Sequence, residues 1–519
     1  MSTKKTLRFL LGDQLNYKHS WFTKKPDADV LYVMMEVKTE SEYVCHHLQK
    51  IIGFFAAMRQ FKEHFEQKGF EFLYLRLDDK NNKQDFKQNL DWIIKKYKIE
   101  NFEMLEPDEY RLDLYFKDYI NDLVIDARVL DSEHFLTQRN DLQEFFGKKE
   151  KYLLESFYRR MRKKYNILLD KDKPLGGKWN FDLTNRKKYP KKIDIPAHKA
   201  FANDVTEILQ MIEKQKLDYI GRLADAKSFE YPITRKQALH VLDYFLKNLL
   251  QHFGDYQDAM SEKIIFGFHS RLSFALNLKI LDPLEVIEKA QEYMHAHADS
   301  VDISQVEGFI RQILGWREFM RSFYWVKMPQ FAKTNFFDNH RQLPKFFWDA
   351  NTKMNCLKNC IENSLDNAYA HHIQRLMVTG NFLLLAGVHP DEVDLWYLGI
   401  YIDAIEWVEI TNTRAMSQWA DGGGLATKPY VSSANYINKM SDYCKNCFYK
   451  FQKKYNDDAQ EDACPFNSLY WNFLDEHKDK LKNNMRMSMV YNVWNKIDAV
   501  EQAKILKQAK LYLDNLQNL

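Results

Sequence analysis

The spacing of apolar positions changes character along the chain. Between residue 5 and about residue 130, short apolar runs alternate with stretches of helical period. Residues 7–11, 30–34, 70–77, 102–105 and 127–130 predict buried strands, and residues 43–67 and 83–97 predict helices between them. This alternation predicts an α/β domain over residues 1–130, built on a doubly wound parallel sheet. Ligands bind such sheets beyond the C-terminal ends of the strands, where Gly12-Asp13-Gln14 and Glu36 fall. Asp13 would serve equally as a helix cap or turn residue.

Residues 131–230 are charged, poor in strand pattern and punctuated by Pro174-Leu-Gly-Gly-Lys178, Pro190 and Pro196. They read as a connector with some helix. From residue 231 to 519 the period is helical, as over 234–253, 283–297, 306–323 and 354–385, with a Gly-rich break at Asp421-Gly-Gly-Gly424. A large all-α domain is expected there, without internal repeats.

Composition narrows the class. No run approaches the roughly 18 to 20 apolar residues of a membrane span. The opening run Thr6 to Gly12 reads as a first strand and not as a signal-peptide core, so a cytosolic location is expected. The net charge of +3 hides two basic clusters, one of Arg159, Arg160, Arg162, Lys163 and Lys164, the other of Arg186, Lys187, Lys188, Lys191 and Lys192. Each suits either phosphate neutralisation or a solvated face. Eleven tryptophans leave room for aromatic walls or electron relays beyond ordinary core packing.

Six cysteines in a chain this long do not suggest a disulfide scaffold. Three fall together as Cys444-x2-Cys447-x16-Cys464-Pro465, and Cys356 is the natural fourth, with Cys360 one helical turn later as a substitute. Cys45 lies elsewhere and reads as a packed thiol. Four thiolates suit structural zinc or an iron–sulfur cluster, and the terminal Cys-Pro leans toward the latter. Unliganded core cysteines are the remaining reading.

Phe268-His-Ser-Arg-Leu-Ser273 resembles the phosphate-binding segment of photolyases and cryptochromes, and Gly315-Trp-Arg-Glu-Phe319 resembles their Trp-Arg-Glu-Phe helix. The strings Ala368-Tyr-Ala-His-His-Ile-Gln-Arg375, Tyr401-Ile-Asp-Ala-Ile-Glu-Trp-Val-Glu409, Met416-Ser-Gln-Trp-Ala-Asp-Gly-Gly423, Lys428-Pro-Tyr430 and Met440-Ser-Asp-Tyr-Cys444 are similar to the bacterial iron–sulfur branch, the prokaryotic (6-4) photolyases and cryptochrome-like relatives. The similarity extends to Leu11-Gly-Asp-Gln14.

The resemblance implies FAD in the helical domain, held by His269, Ser270, Leu272, Ser273, Gln312, Trp316, Arg375, Asp403 and Glu409. No Gly-x-Gly-x-x-Gly loop offers a Rossmann-type site instead. It implies His371, His372 and Glu409 in catalysis, electron transfer through Trp348, Trp396 and Tyr397, and lesion contacts from Lys428, Tyr430 and Tyr436. It further implies a 4Fe–4S cluster on Cys356, Cys444, Cys447 and Cys464, and the antenna chromophore 6,7-dimethyl-8-ribityllumazine near Asp13 and Glu36. The implied activity is light-driven repair of (6-4) pyrimidine photoproducts in UV-damaged DNA by a monomer, through excited reduced FAD and a histidine proton donor. By spacing alone, Arg375 and Asp403 would be an interhelical ion pair and the histidines structural. A blue-light photoreceptor of the same subfamily and a flavin-free helical iron–sulfur protein acting on DNA are the rival readings.

Overall fold

The structure, a computed structural model, describes residues 4–147, 152–457 and 461–519. Strands β1 (Thr6–Phe9), β2 (Val30–Met35), β3 (Phe72–Leu75), β4 (Asn101–Leu105) and β5 (Asp126–Leu130) form one parallel sheet in the order β3-β2-β1-β4-β5. Phe9 sits between Val33 and Met104 in register. Every residue of β2 is buried, because helices cover both faces of the sheet. Leu48–Glu66, Phe86–Tyr97 and Tyr110–Asp122 are the main helices of this part. The helix expected over 43–67 starts only at Leu48, where the His47 ring accepts from the Gln49 N–H and caps the first turn.

The stretch 131–230 carries the helices Asp141–Phe146, Leu154–Tyr165 and Thr206–Gln215 and a short hairpin of Leu169–Asp170 with Lys173–Pro174. Helix Leu154–Tyr165 packs on the segment Arg311–Arg317 of the helical part. Arg162 of the first basic cluster is fully buried and donates to the carbonyls of Ile167, Leu168 and Trp179. It is therefore a structural clamp and not a phosphate contact.

Beyond residue 231 the described residues hold helices and no strand longer than an isolated bridge. Three places depart from the continuous helices that the periodicity predicts. Residues 306–323 divide into Ile303–Ile310, a π-helical turn Arg311–Arg317, and Glu318–Lys327. Residues 354–385 divide into Asn355–Asn367, a break at Ala368 with φ 49°, a π-helical turn Gln374–Gly380, and Asn381–Leu385. A third π-helical turn, Thr411–Ser417, follows Glu406–Ile410. Such turns insert an extra residue and re-aim the side chains around them, and they concentrate at functional sites. One face of the sheet shares a continuous core with the helices, joining Tyr32, Met34 and Phe61 to Phe274 and Trp407, while the other face has its own core around Leu7, Phe9 and Phe116. Among the described residues, no helix is long and apolar enough to cross a membrane.

Candidate active site

The break at Ala368 leaves His371 outside regular helix, with His372 opening the next one. The two side chains therefore diverge in environment and not merely by the angle of a helix. His371 is 6% exposed and stacks on His269 with centroids 4.7 Å apart. Its backbone N–H is held by the Gln374 side chain at 3.1 Å. Burial, reinforced by His269, His372 and Arg375, pushes His371 well below the usual histidine range, so its ring is neutral. The His372 side chain is 47% exposed and its Nε2 lies 3.1 Å from Asp258 Oδ1. Ligand atoms of His269, His371 and His372 all fall within 4.8 Å of one another, so three imidazoles converge at one point.

Below them lies a buried charge group. Arg375 pairs with Asp403 at 3.0 Å and approaches Glu409 at 3.7 Å, and its guanidinium rests on the Tyr401 ring at 3.7 Å. Asp403 is anchored through its carbonyl, which accepts from Asn277. Burial pushes the Glu409 carboxyl up to about 7, opposed by Arg375. The arginine lies on the second π-helical turn, and Glu409 lies two residues before the start of the third.

The 268–273 segment forms one wall. His269 is held between the carbonyls of Phe266 and Gln257, and burial lowers it to about 4. Arg271 has φ 55° and lies over Phe266 and Tyr231, with its Nε buried and without a hydrogen-bond partner. The Leu272 side chain is buried, so only its backbone is offered, whereas Ser273 is exposed at the start of helix Ser273–Asn277 and Ser270 is half-buried. Gln312, on the first π-helical turn, reaches the Gln257 side chain at 3.4 Å and so joins the His269 wall. Trp316 on the same turn packs edge-to-face on Phe319 and makes no ring contact with the histidines.

The three tryptophan and tyrosine candidates are only partly contiguous. Trp396 and Tyr397 are buried with ring centroids 5.2 Å apart, and both contact Tyr401. The Tyr397 hydroxyl donates to the Arg375 carbonyl at 2.7 Å. Trp348 is exposed and does not touch Trp396. Its neighbour Phe347 does, edge-on at 5.1 Å, while accepting the Trp396 indole N–H on its carbonyl. An aromatic ladder thus leads from Arg375 through Tyr401, Tyr397 and Trp396 to Phe347, beside the exposed Trp348.

At the mouth, Tyr430 and Tyr436 are half-buried and Lys428 is exposed. The Arg186 guanidinium acts on both phenols, and Asp258, the partner of His372, acts on Tyr436, so the second basic cluster lies near both tyrosines. Lys188 of that cluster donates to the Ser441 carbonyl at 2.7 Å, three residues before Cys444.

Cys356, Cys444, Cys447 and Cys464 line one cavity walled by Met354, Tyr443, Tyr449, Phe451 and Phe466. All are free thiols. Burial and the neighbouring thiols raise Cys356 well above the usual range, and burial raises Cys444 to about 12. Among the described residues, no three of these thiols have sulfurs all within 4.8 Å of one another. Cys360 does not line the cavity; its thiol turns to the Tyr443 hydroxyl.

Asp13 and Glu36 line an open cavity at the C-terminal ends of β1, β2 and β4, where the strand order reverses. The Glu36 carboxylate is already saturated, accepting two bonds from Arg59, one from Tyr74 and one from the Leu77 N–H. It shapes the cavity without a free acceptor. Asp13 pairs with buried Lys279 at 3.1 Å, and burial raises it. Sequence reasoning missed Lys50, Tyr43, His46 and Glu109 in this lining. It also missed Asp258, Gln374, Tyr401 and Tyr443 around the histidines and cysteines. Tyr443 and Gln374 stand inside the quoted strings, next to Cys444 and Arg375, so adjacency was an available signal; Asp258 and Lys50 carried none.

Known proteins are similar to this chain in sequence and fold. The family described as deoxyribodipyrimidine photo-lyase-related protein matches residues 8–228. A (6-4) photolyase of Agrobacterium fabrum is 38% identical over 514 residues, 98% of this chain and 99% of that protein. Among solved structures, a bacterial class III photolyase from Agrobacterium tumefaciens superposes with a TM-score of 0.55 at 14% identity, covering 96% of this chain and 99% of the other. A Synechocystis cryptochrome superposes with a TM-score of 0.54 at 13% identity, covering 97% and 94%. These two likenesses extend the shared fold across both the sheet and the helices.

Proposed function

The chain belongs to the prokaryotic (6-4) photolyase family, and on that premise we propose that it repairs (6-4) pyrimidine photoproducts in UV-damaged DNA under blue light. The observation that carries the reading is the convergence of His269, His371 and His372 beside the buried Arg375–Asp403–Glu409 group, at an opening bordered by Tyr430, Tyr436 and Arg186. Damage weakens stacking and pairing, so the lesion flips into such an opening at reduced cost. The half-buried tyrosines offer faces on which an extruded base stacks, and Lys428 offers a phosphate contact.

FAD, which the family implies, fits the helical part. The unpaired buried Nε of Arg271, beside Ser270 and Ser273, suits an anionic pyrophosphate. Arg375 supplies a buried cation, and Glu409 supplies a carboxyl able to gain or lose a proton near neutral pH. When bound and reduced, FAD supplies the light-driven single-electron chemistry. His372 then serves as the proton source, because it reaches solvent and has the Asp258 carboxylate beside it. Neutral His371 shapes the pocket and presents an N–H. The aromatic ladder from Tyr401 to Trp396 provides rings through which oxidising equivalents leave the Arg375 region, with Trp348 at the surface.

The four thiols fit a 4Fe–4S cluster. A single tetrahedral zinc with bonds of about 2.3 Å would draw all four sulfurs within about 4 Å of one another. A polynuclear centre holds them wider apart, and the Cys464-Pro465 step together with the family resemblance favours it. The cavity at the ends of β1, β2 and β4 has a mixed apolar and carboxylate lining that suits the lumazine antenna. The protein acts as a monomer in the cytosol on this reading.

An oligonucleotide duplex carrying one (6-4) thymine pair tests the reaction. Reduced, cofactor-loaded protein is expected to restore both thymines under blue light and not in the dark, as read by chromatography. Photoreduction without any restoration would overturn repair in favour of light signalling.

A further inference from the structure

The described surface carries one apolar stripe that the site above does not use. Met485 is 89% exposed, Met489 76% and Val493 50%. Spaced four residues apart on the continuous helical run Met485–Met487 and Ser488–Trp494, they lie along one face. The opposite face is locked down. Met487, Tyr491 and Trp494 are buried, Tyr491 donates to the Leu474 carbonyl at 3.1 Å, Trp494 donates to Asp475 at 3.0 Å, and the Trp494 ring stacks on Trp471. Single exposed apolar residues are ordinary, but a rigid row of three is not.

Its surroundings select the partner. Residues 482–496 include Lys482, Arg486 and Lys496 and no acidic residue, which suits a polyanion and disfavours an apolar protein groove. The stripe is also tied to the mouth of the candidate site. Asn484 donates to the Thr427 carbonyl at 3.1 Å, directly before Lys428, and the Arg486 and Arg186 guanidiniums both act on the Tyr430 phenol.

We propose that Met485 and Met489 form an apolar wedge that enters double-stranded DNA beside the lesion and fills the stack that the extruded dinucleotide vacates; this rests on the repair reading above. Flipping a dinucleotide exposes the flat apolar faces of its former neighbours. Unbranched, polarisable methionine side chains cover such faces well, and apolar wedges are a recurrent device for holding duplexes open. Arg486 would meet a flanking phosphate, whereas Lys482 is paired with Asp479 at 3.1 Å.

The test uses the full-length, flavin-loaded protein and the variant Met485→Ala/Met489→Ala, whose exposed positions leave the thermal midpoint unchanged. Binding is measured to a (6-4) duplex and to the same lesion in single-stranded DNA, with 2-aminopurine opposite the lesion reporting extrusion. The wedge predicts about a tenfold loss of duplex affinity and a weaker 2-aminopurine signal, with single-strand affinity retained. The Met485→Leu/Met489→Leu variant should keep the wild-type ratio. Equal losses on both substrates, or no loss on either, overturn the wedge alone. Wild-type protein that binds neither substrate overturns the repair reading and the wedge with it.

Discussion

On the proposed reading, a proton delivered to the lesion comes from a side chain that meets water, and of the two adjacent histidines His372 is the exposed one. His371, neutral and stacked on His269, contributes shape. The Glu409 carboxyl makes a separate, signed prediction. Its value in the fold is about 7, against an ordinary 4.5, because burial outweighs Arg375, with Asp403, Lys50 and Asp394 also acting on it. The folded protein therefore holds a proton that the unfolded chain releases, and the stability tied to that proton is lost as pH rises from about 4.5 through about 7. Relative to wild type, Glu409→Gln is expected to gain thermal midpoint as pH rises across that window. A difference that stays flat with pH would contradict the assigned protonation.

Elements place these residues through irregularity, which the hydrophobic period does not encode. Periodicity located the five strands and most helices, because buried faces repeat with the backbone. It extended single helices across residues 306–323 and 354–385, since the inserted residues of a π-helical turn keep the same apolar character as a regular turn. Ala368, a good helix former, gave no sign of its left-handed break. Two of these turns meet at Gly380, where an added Cβ would stand 2.2 Å from Ser417 Oγ and 2.7 Å from the Arg375 carbonyl. Gly380→Ala is accordingly expected to cost about 1–3 kcal/mol and to loosen flavin retention, measured by thermal melts and bound-flavin absorbance. A second link crosses elements: Gln374 accepts from the His371 N–H and donates to the Tyr443 hydroxyl at 3.0 Å, which ties the cysteine cavity to the histidine turn.

On the scale of the whole molecule, the helical core is continuous with one face of the sheet, so the cavity at the strand ends and the histidine site share one frame. The cysteine set was legible early because thiol spacing is chemically specific, yet spacing left zinc and iron–sulfur open. Metal content supplies the distinction. Purified protein is expected to contain about four iron atoms per chain, and Cys356→Ala about none; one zinc per chain would contradict the cluster. The lining of the cavity at the strand ends was less legible, because Lys50 and Glu109 lie far apart in sequence and converge only in the fold.

The most direct measurement follows light-driven restoration of thymines in a (6-4) duplex by wild type and by His372→Ala, at matched flavin reduction. Wild type should clear the lesion under blue light and not in the dark, while the variant photoreduces normally but repairs about 100-fold more slowly. Equal repair by both proteins, or an intact lesion after illumination of fully reduced wild type, would contradict the account.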